Sequence, residues 1–332
     1  MSGGDDQQEY PEVSVADIDR CIQTGIYQKT FSAAVCVASV GGRIFHRAVY
    51  GSLTQPPPIR KLDFDTSFDL ASLTKPLGSG LAALMLASQN RIDLNASVSK
   101  TIPELRDSKW APVSIDMLLD HTAGLPAFRS YWQEIVDADK GVHEAKKVGG
   151  TAKAIPLVKK AVADTVFEYE PGSKAVYSDI GFMILGWIVE GLVGKPLDVY
   201  LARDIFRELD IADDLFFIRH DDTRQMQRLR RRTFAATEEC AWREKVLQGE
   251  VHDPNAWIMG GVAGHAGLFG TADAVWKVAH ALWESQKGEG RTFLGGTVRR
   301  FWTRSKRLRD TSRALAWDTQ SSHGSSCGTR FS

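Results

Sequence analysis

With 332 residues, the chain is long enough to form one large domain or two ordinary ones around a sizeable hydrophobic core. Its 41 lysine and arginine residues balance its 41 aspartate and glutamate residues, so no overall charge directs the protein to nucleic acid or to an anionic membrane. The four cysteines are scattered, without a Cys-x-x-Cys pair or metal-like spacing, which argues against a disulfide framework.

The amino-terminal residues carry no recognisable export signal. Residues 1–13 are polar and acidic, and they lack the basic segment followed by an apolar segment that defines a signal peptide. No stretch of about 18 uncharged apolar residues is present to span a membrane. We therefore expect a mobile amino-terminal tail, no transmembrane segment and, for the chain as written, a cytoplasmic location.

The first predicted elements are a helix and an antiparallel hairpin. Apolar residues recur with helical spacing from Val15 to Tyr27. The run from Ala33 to Val40 predicts a strand, Gly41-Gly42 a tight turn, and the run from Arg43 to Tyr50 the partner strand. These elements precede the first residues that indicate chemistry.

A serine and a lysine lie at the start of a strongly apolar run. From Leu77 to Ala87 almost every residue is apolar or small, and Pro76 is tolerated in a first helical turn, which predicts a buried helix from about Ser72. On such a helix the Ser72 hydroxyl and the Lys75 amine share one face, and a lysine removed from water can take up the serine proton. Backbone N–H groups at the helix start would receive the oxyanion formed on acyl transfer.

The spacing of this pair is not specific by itself. A chain of this length holds about one Ser-x-x-Lys by chance, and Ser97 with Lys100 forms such a pair in a polar stretch. The structural alternative for Ser72 and Lys75 is a helix-capping serine with a surface lysine. The apolar setting of Ser72 favours a nucleophile beside a base.

The middle of the chain contains a histidine at a predicted helix end. Residues Ile115 to Leu119 predict a short helix, and a histidine just after it, at position 121, is more typical of a hydrogen-bonded structural residue than of a catalytic one. Residues 129–165 are polar and rich in lysine, and they predict a variable loop and helix over one face. We expect substrate selectivity to reside there. Amphipathic spacing predicts further helices at 271–284 and 292–302.

Polar residues also precede the apolar run from Ile180 to Leu192, which predicts a second buried helix. Tyr177 would act as a phenol whose proton is drawn off by a nearby cation, and Asp179 would orient it. The structural alternative is a packed tyrosine followed by a capping residue, Ser178 or Asp179.

The second half of the chain is first charged and then rich in glycine. Between Asp213 and Gly249, a basic run at 228–232 is interspersed with acids, which favours a solvated face over a nucleic-acid surface. The glycines at 260–267 match neither a Rossmann fingerprint nor a phosphate loop. His252 and His265 lack the partner spacing of a zinc helix, so we expect no metal and no other cofactor.

Together these segments resemble the serine β-lactamase and penicillin-binding-protein family, and within it the class C-like and esterase-like branch. The similarity extends from about Val35 to Phe331. The motifs that carry it are Phe68-x-Leu70-Ala71-Ser72-x-Thr74-Lys75, Leu118-Leu119-x-His121-Thr122-x-Gly124-Leu125-Pro126, and Pro171-Gly172 followed by Tyr177-Ser178-Asp179. The segment from His252 to Gly267 is similar to a subset of the family that includes cell-wall-linked serine hydrolases.

The resemblance implies an α+β fold of the β-lactamase/transpeptidase type, in which both chain ends build an antiparallel sheet flanked by helices. It implies a single catalytic domain over residues 1–332. In that domain, residues 14–75 and 260–332 form the sheet-containing part, and residues 76–259 form a mostly helical inserted part. The cleft would lie between the two parts.

The resemblance also implies a mechanism and a partner. Ser72 would attack a carbonyl carbon to give an acyl-enzyme, Lys75 and Tyr177 would share the acid and base work, and water would then release the acid. The backbone N–H of Ser72 would supply half of the oxyanion hole. The substrate would be a small molecule or a peptide with an acyl group: a β-lactam, a D-Ala-D-Ala peptide or a small ester. The alternative is a sensor or scaffold on the same fold that binds acyl groups without turnover.

Two features depart from the family pattern. The second motif commonly reads Tyr-x-Asn, whereas residue 179 is aspartate, and a carboxylate there would favour the charged form of Lys75, weaken it as a base and leave more of the proton transfer to Tyr177. The third motif, Lys or His followed by Thr/Ser and Gly, is not assigned, because His265-Ala266-Gly267 is similar to it only superficially. Residues 315–331 resemble the stretch before that motif, so we expect a chain truncated before it and weakly active or inactive as written.

Overall fold

The computed structural model describes residues 14–53, 61–143 and 147–321. Its helices are α1 (Val15–Tyr27), α2 (Gly80–Ser88), α3 (Ile115–Leu119), α4 (Tyr131–Asp139), α5 (Ile155–Ala163), α6 (Asp179–Val193), α7 (Leu197–Tyr200), α8 (Thr223–Leu229), α9 (Pro254–Ile258), α10 (Ala272–Lys287) and α11 (Gly295–Trp302). Its strands are β1 (Ala33–Val40), β2 (Arg43–Gly51), β3 (Phe68–Asp69), β4 (Leu215–Phe217), β5 (Ala236–Cys240), β6 (Lys245–Gln248) and β7 (Leu268–Gly270). Helices and antiparallel strands give the α+β class that the sequence predicts. The predicted mobile tail at 1–13 lies outside the described residues.

Strands β1 and β2 form the predicted hairpin. They pair antiparallel from Ala33 opposite Gly51 to Val40 opposite Arg43. Gly41 and Gly42 both adopt positive φ in the turn, a conformation that glycine reaches without steric cost. Helix α10 packs on β1 and helix α1 on β2. Within the described residues this sheet holds two strands, and residues 260–321 contribute helix α10 to it, without the further strands that the resemblance implies.

A second sheet joins distant parts of the chain in the order β3-β7-β4, with both pairings antiparallel. The sequence predicts neither β4, which lies in the charged stretch from Asp213 to Gly249, nor β7, which follows the glycines at 260–267. Segments of two or three residues bounded by glycine and charged residues are too short to show an alternating pattern. The sheet has a direct consequence for the site, because β3 ends just before Ser72.

Helix α6 is the centre of the hydrophobic core. Each residue from Ile180 to Val189 is buried, as expected for a helix that is apolar on every face. It ends at Gly194, which adopts the left-handed conformation typical of a residue after a helix. Helices α2 and α3 pack against it. The predicted buried helix at 180–192 is therefore confirmed, and its first turn contains Asp179.

A charged cluster holds the segment after α11 on helix α3. The Arg307 guanidinium contacts Asp116 Oδ2 at 2.6 Å and the buried carboxylate of Asp120 at 3.3 Å. The hydroxyl of Ser305 donates to the same Asp120 oxygen at 2.8 Å. These contacts fix the segment that carries Arg313 beside the ring of Tyr177.

In the described part of the chain, no helix is by itself long and apolar enough to cross a membrane. One bent pair, Asp179–Val193 with Leu197–Phe206, meets the length and composition requirement only when its two arms are taken together. Three cysteines lie in these residues, at positions 21, 36 and 240, and none of them is in a disulfide.

Candidate active site

The backbone around Ser72 departs from the continuous helix that the sequence predicts. A 3-10 turn covers Ala71–Leu73, a π turn covers Lys75–Ser79, and the α-helix α2 begins only at Gly80. Pro76 has no N–H to donate to an α-helical ladder, and a wider turn accommodates it. The prediction of a helix starting at Ser72 is therefore wrong in detail, while the predicted proximity of Ser72 and Lys75 holds.

Ser72 and Lys75 form a close pair with opposite exposure. Lys75 Nζ lies 2.9 Å from Ser72 Oγ, within hydrogen-bond distance. The Lys75 side chain is only 2% exposed, whereas Ser72 is exposed. The serine is thus accessible to a substrate, and the amine beside it is shielded from water.

Lys75 Nζ has two further acceptors. Asp179 Oδ1 lies 2.7 Å away, and the backbone carbonyl oxygen of His265 lies 3.4 Å away. A lysine ammonium has three donors, so these two oxygens and Ser72 Oγ match its capacity. The expectation that a carboxylate at position 179 lies against Lys75 agrees with this geometry.

Tyr177 lies beside the same lysine, at the start of α6. Its ring centroid is 4.6 Å from Lys75 Nζ and 5.3 Å from Arg313 Cζ, and the side chain is 39% exposed. Ser178 occupies the N-cap position of α6, but its hydroxyl donates to the Pro126 carbonyl and makes no cap hydrogen bond. Capping by Ser178 therefore does not position this segment. Contacts with the loop before α4 place it, including a bond from the Asp179 N–H to the Ala127 carbonyl at 3.0 Å.

His121 contacts both Tyr177 and Ser178, the two residues that precede α6. Its Nδ1 accepts the Ser178 N–H at 3.0 Å, and its ring contacts that of Tyr177 at 4.6 Å between centroids. Burial, with smaller contributions from the charges of Arg313 and Lys75, lowers the pKa of His121 to about 3. His121 is therefore neutral near pH 7, as a hydrogen-bond acceptor must be, which agrees with the structural role that the sequence favours.

The segment from Gly264 to Leu268 packs directly onto the Ser72–Ser79 turns. Ser79 Oγ donates to the Gly264 carbonyl at 2.6 Å, and Thr74 Oγ1 accepts the Leu268 N–H at 3.1 Å. A Cβ at Gly264 would lie 2.0 Å from the Phe182 carbonyl oxygen, so only glycine fits there against α6. This close approach brings the His265 carbonyl to Lys75.

His265 and Asp253 form a buried pair behind this carbonyl. His265 Nε2 lies 2.9 Å from Asp253 Oδ1, and His265 is 1% exposed. Burial raises the pKa of Asp253, but the neighbouring His265, the Ala256 N–H and the Lys75 charge together hold that pKa below its ordinary value. In the sequence His265 is a weak metal candidate and part of a superficial match to the third motif, and no spacing signal links it to Asp253, twelve residues earlier.

Asp69 is a further polar residue of the site that the sequence did not indicate. Its Oδ1 accepts the Ala71 N–H at 2.8 Å and its Oδ2 accepts the His252 N–H at 2.7 Å, which ties the turn that carries Ser72 to the loop before α9. Burial raises the pKa of this carboxyl, against the lowering effect of the two N–H donors. Ala71 has φ of 46°, an uncommon value for a residue other than glycine, and such strain often accompanies functional turns.

The structure thus brings all four predicted site residues, Ser72, Lys75, Tyr177 and Asp179, into one cluster around Lys75 Nζ. Ser97 and Lys100 lie elsewhere. Across residues 14–53, 61–143 and 147–321, no group of three His, Cys, Asp or Glu side chains is placed to hold a metal ion. A nucleophile, a shielded amine, a phenol and a carboxylate in this arrangement suit acyl transfer.

The family follows from the sequence as a whole. The beta-lactamase family model matches residues 18–325, so the chain belongs to the beta-lactamase family. It is 35% identical over 283 residues to an N-acetylmuramyl-L-alanine amidase of Bacillus subtilis (strain 168), covering 77% of this chain and 59% of that protein. It is 32% identical over 286 residues to a putative D-alanyl-D-alanine carboxypeptidase of Escherichia coli (strain K12), covering 80% of this chain and 62% of that protein. The chain therefore spans about 60% of the length of these curated relatives.

Solved structures show the same fold at low sequence identity. A penicillin-binding protein homologue from Pyrococcus abyssi, described as octameric, superposes with a TM-score of 0.68 at 15% identity, covering 92% of this chain and 64% of that one. A class C beta-lactamase in complex with cefoxitin superposes with a TM-score of 0.68 at 19% identity, covering 91% and 74%. The predicted β-lactamase/transpeptidase-like fold is confirmed.

Proposed function

We propose that this protein is a serine hydrolase that acts on an amide or an ester through an acyl-enzyme formed on Ser72. The observation that carries the proposal is the exposed Ser72 hydroxyl 2.9 Å from the amine of a buried Lys75. Ser72 Oγ forms a bond to the substrate carbonyl carbon while its proton passes to Lys75 or Tyr177. The leaving group takes up that proton as it departs. Water then cleaves the new ester and releases the acid.

The substrate class is inferred from the relatives and not from the site alone. All three classes considered, β-lactams, D-Ala-D-Ala peptides and small esters, pass through the same acyl-enzyme, so Ser72 chemistry does not choose among them. Two relatives with more than 30% identity are named as an N-acetylmuramyl-L-alanine amidase and a putative D-alanyl-D-alanine carboxypeptidase. We therefore place peptides of the bacterial cell wall first.

The proposed cleft lies between two parts of a single catalytic domain, one of residues 14–75 and 260 onwards and the other of residues 76–259. Ser72 and His265 come from the first part, whereas Tyr177 and Asp179 come from the second. Their convergence on Lys75 supports this division. Strand β4 of the second part pairs with β7 of the first, so the sheet β3-β7-β4 links the two.

Covalent labelling tests the proposal. A fluorophosphonate or a fluorescent penicillin should label the wild-type chain and the Ser97→Ala variant equally, and Ser72→Ala should abolish the labelling. Ser97 is the matched control because it too is followed by a lysine three residues later. Intact mass should show one adduct per chain. Labelling that survives Ser72→Ala would contradict the assignment.

A non-turnover acyl sensor is the second candidate, and one observation favours it. The Asp179 carboxylate lies 2.7 Å from Lys75 Nζ, nearer than Ser72 Oγ at 2.9 Å, and so competes for the amine that would otherwise assist the deacylating water. A chromogenic cephalosporin and a panel of p-nitrophenyl esters separate the two functions. A hydrolase gives continuous turnover, whereas a sensor gives at most one equivalent of product per chain.

A further inference from the structure

The position of Lys75 depends on an acceptor that belongs to the backbone. Of the three oxygens around Nζ, two are side-chain atoms of Ser72 and Asp179, and the third is the carbonyl oxygen of His265 at 3.4 Å. Asp179 is the nearest of the three at 2.7 Å and attracts the ammonium electrostatically. Without the His265 carbonyl as a third acceptor, Asp179 would draw the amine away from Ser72 Oγ.

The side chain of His265 adds a restraint on that carbonyl, beside the packing of Gly264 against α6. Positions 264 and 267 are glycines, so the residues on either side of His265-Ala266 have no side chain that could restrain the backbone. The ring is 1% exposed and its Nε2 lies 2.9 Å from Asp253 Oδ1. Its Nδ1 is buried without a hydrogen-bond partner among the described residues. Asp253 is therefore the polar anchor of this ring.

Asp253 is itself held firmly. The same Oδ1 accepts the Ala256 N–H at 2.7 Å, which caps helix α9, and α9 is tied to α4 through the buried amide of Asn255. A positive charge on Lys75 also helps to keep the Asp253 carboxyl ionised. The chain of contacts thus leads from a helix terminus, through Asp253 and the His265 ring, to the amine beside the nucleophile.

We propose that Asp253 and His265 are positioning residues that hold Lys75 in line with Ser72. This inference rests on the proposed hydrolase function and adds two residues to its machinery. When either residue is lost, the His265 carbonyl shifts and the Lys75 amine moves towards Asp179. A displacement of about 1 Å in such a group can cost about 100-fold in rate.

The first test replaces the ring and measures fluorophosphonate labelling as separate kinact and KI values. For His265→Leu we expect kinact to fall about 10- to 100-fold with KI unchanged, because the exposed serine is retained. His265→Gln should recover most of the loss, since its amide N–H can donate to Asp253. His220→Leu is the control: His220 is a half-buried histidine whose ring also contacts a backbone carbonyl, that of Gly150 at 3.3 Å from Nδ1.

The second test removes the other partner and covers the case in which His265→Leu fails to fold. Asp253→Ala should lower kinact as much as His265→Leu, and the double variant should show no further loss, because the two residues act as one unit. Thr271→Ala is the control, since it deletes an equivalent cap contact, from the Ala274 N–H to Thr271 Oγ1, away from Lys75. Wild-type kinact in folded Asp253→Ala, or equal losses in the controls, would overturn the inference.

A structural readout keeps this inference separate from the proposed function. If the wild-type chain is not labelled at all, the proposed hydrolase function fails. Crystal structures of wild type and Asp253→Ala then decide the positioning role. A change of about 1 Å in the distance from Lys75 Nζ to Ser72 Oγ, the size that matters for catalysis, supports it, and an unchanged distance refutes it.

Discussion

The chain contains two Ser-x-x-Lys segments with opposite environments. Lys75 is 2% exposed and contacts Ser72 Oγ, whereas Lys100 is exposed. The Ser97 hydroxyl is occupied as a cap: it accepts the Ser99 N–H and also contacts the Ser99 hydroxyl. The same spacing therefore produces an exposed serine hydroxyl beside a shielded amine in one place and a capped surface turn in the other.

The difference arises from what covers each lysine. An apolar helix follows Lys75, and the Gly264–Leu268 segment with α6 closes over it. Lys100 ends a short 3-10 turn that is followed by Thr101 and Pro103, and no such cover forms over its side chain. Burial beside a hydrogen-bonded serine, and not sequence spacing, is what distinguishes a base from a surface cation.

The largest expected effect is the difference between two separate variants, in which either Lys75 or Lys100 is replaced by methionine. We expect Lys75→Met to lower the rate of Ser72 acylation about 1,000-fold, the middle of the range for loss of an acid or base group. Lys100→Met should leave the rate unchanged because Lys100 is exposed and far along the chain from the site. Stopped-flow or gel-based labelling kinetics at pH 7.5 measure both. Similar rates in the two variants would remove the distinction.

A smaller effect should follow from Asp179→Asn, which restores the commoner family pattern. Removal of the negative charge 2.7 Å from Lys75 Nζ weakens the attraction that holds the amine towards residue 179, so the amine becomes more available to Ser72 Oγ. The labelling rate should then rise about tenfold, which corresponds to about 1.4 kcal/mol. Asp164→Asn is the control, since Asp164 pairs with Lys160 at 3.4 Å on the surface. An unchanged labelling rate in Asp179→Asn would show that Asp179 does not restrain the amine.

His121 should affect stability and not the first chemical step. The unfolded histidine takes up a proton near pH 6.5, whereas the folded one resists protonation until about pH 3, so stability is lost as pH falls through this window. The slope should be about 1.4 kcal/mol per pH unit between pH 6 and pH 4. His121→Asn, which suits the positive φ of 61°, should remove this contribution in urea unfolding series. Parallel curves for the two proteins would contradict this assignment.

Long periodic segments were predictable and short paired ones were not. Helices α1, α6 and α10 and the β1–β2 hairpin lie where apolar periodicity and the Gly41-Gly42 turn place them. Strands β3, β4 and β7 are two or three residues long and are defined by pairing partners more than 50 residues away. No local pattern carries that information.

The same division applies to the site. Ser72, Lys75, Tyr177 and Asp179 could be proposed from the sequence because each lies at or near the start of an apolar helix, and the first three match a family motif. The contact of His265 with Lys75 uses a backbone carbonyl, which any residue possesses, so its identity gave no signal. Asp253 contacts the ring of that histidine. Contacts made through backbone atoms or through a neighbouring side chain become visible only in three dimensions.

The contact between Lys75 and His265 joins residues 190 positions apart, whereas Ser72 and Lys75 are three apart. An unfolded chain therefore keeps serine and lysine near each other at almost no entropic cost, but closing the loop to His265 requires a large loss of chain entropy. A short peptide containing Ser72 and Lys75 would hold the same two groups with the amine fully hydrated. The chemistry proposed for the pair thus depends on long-range loop closure, which must bring together residues 190 positions apart.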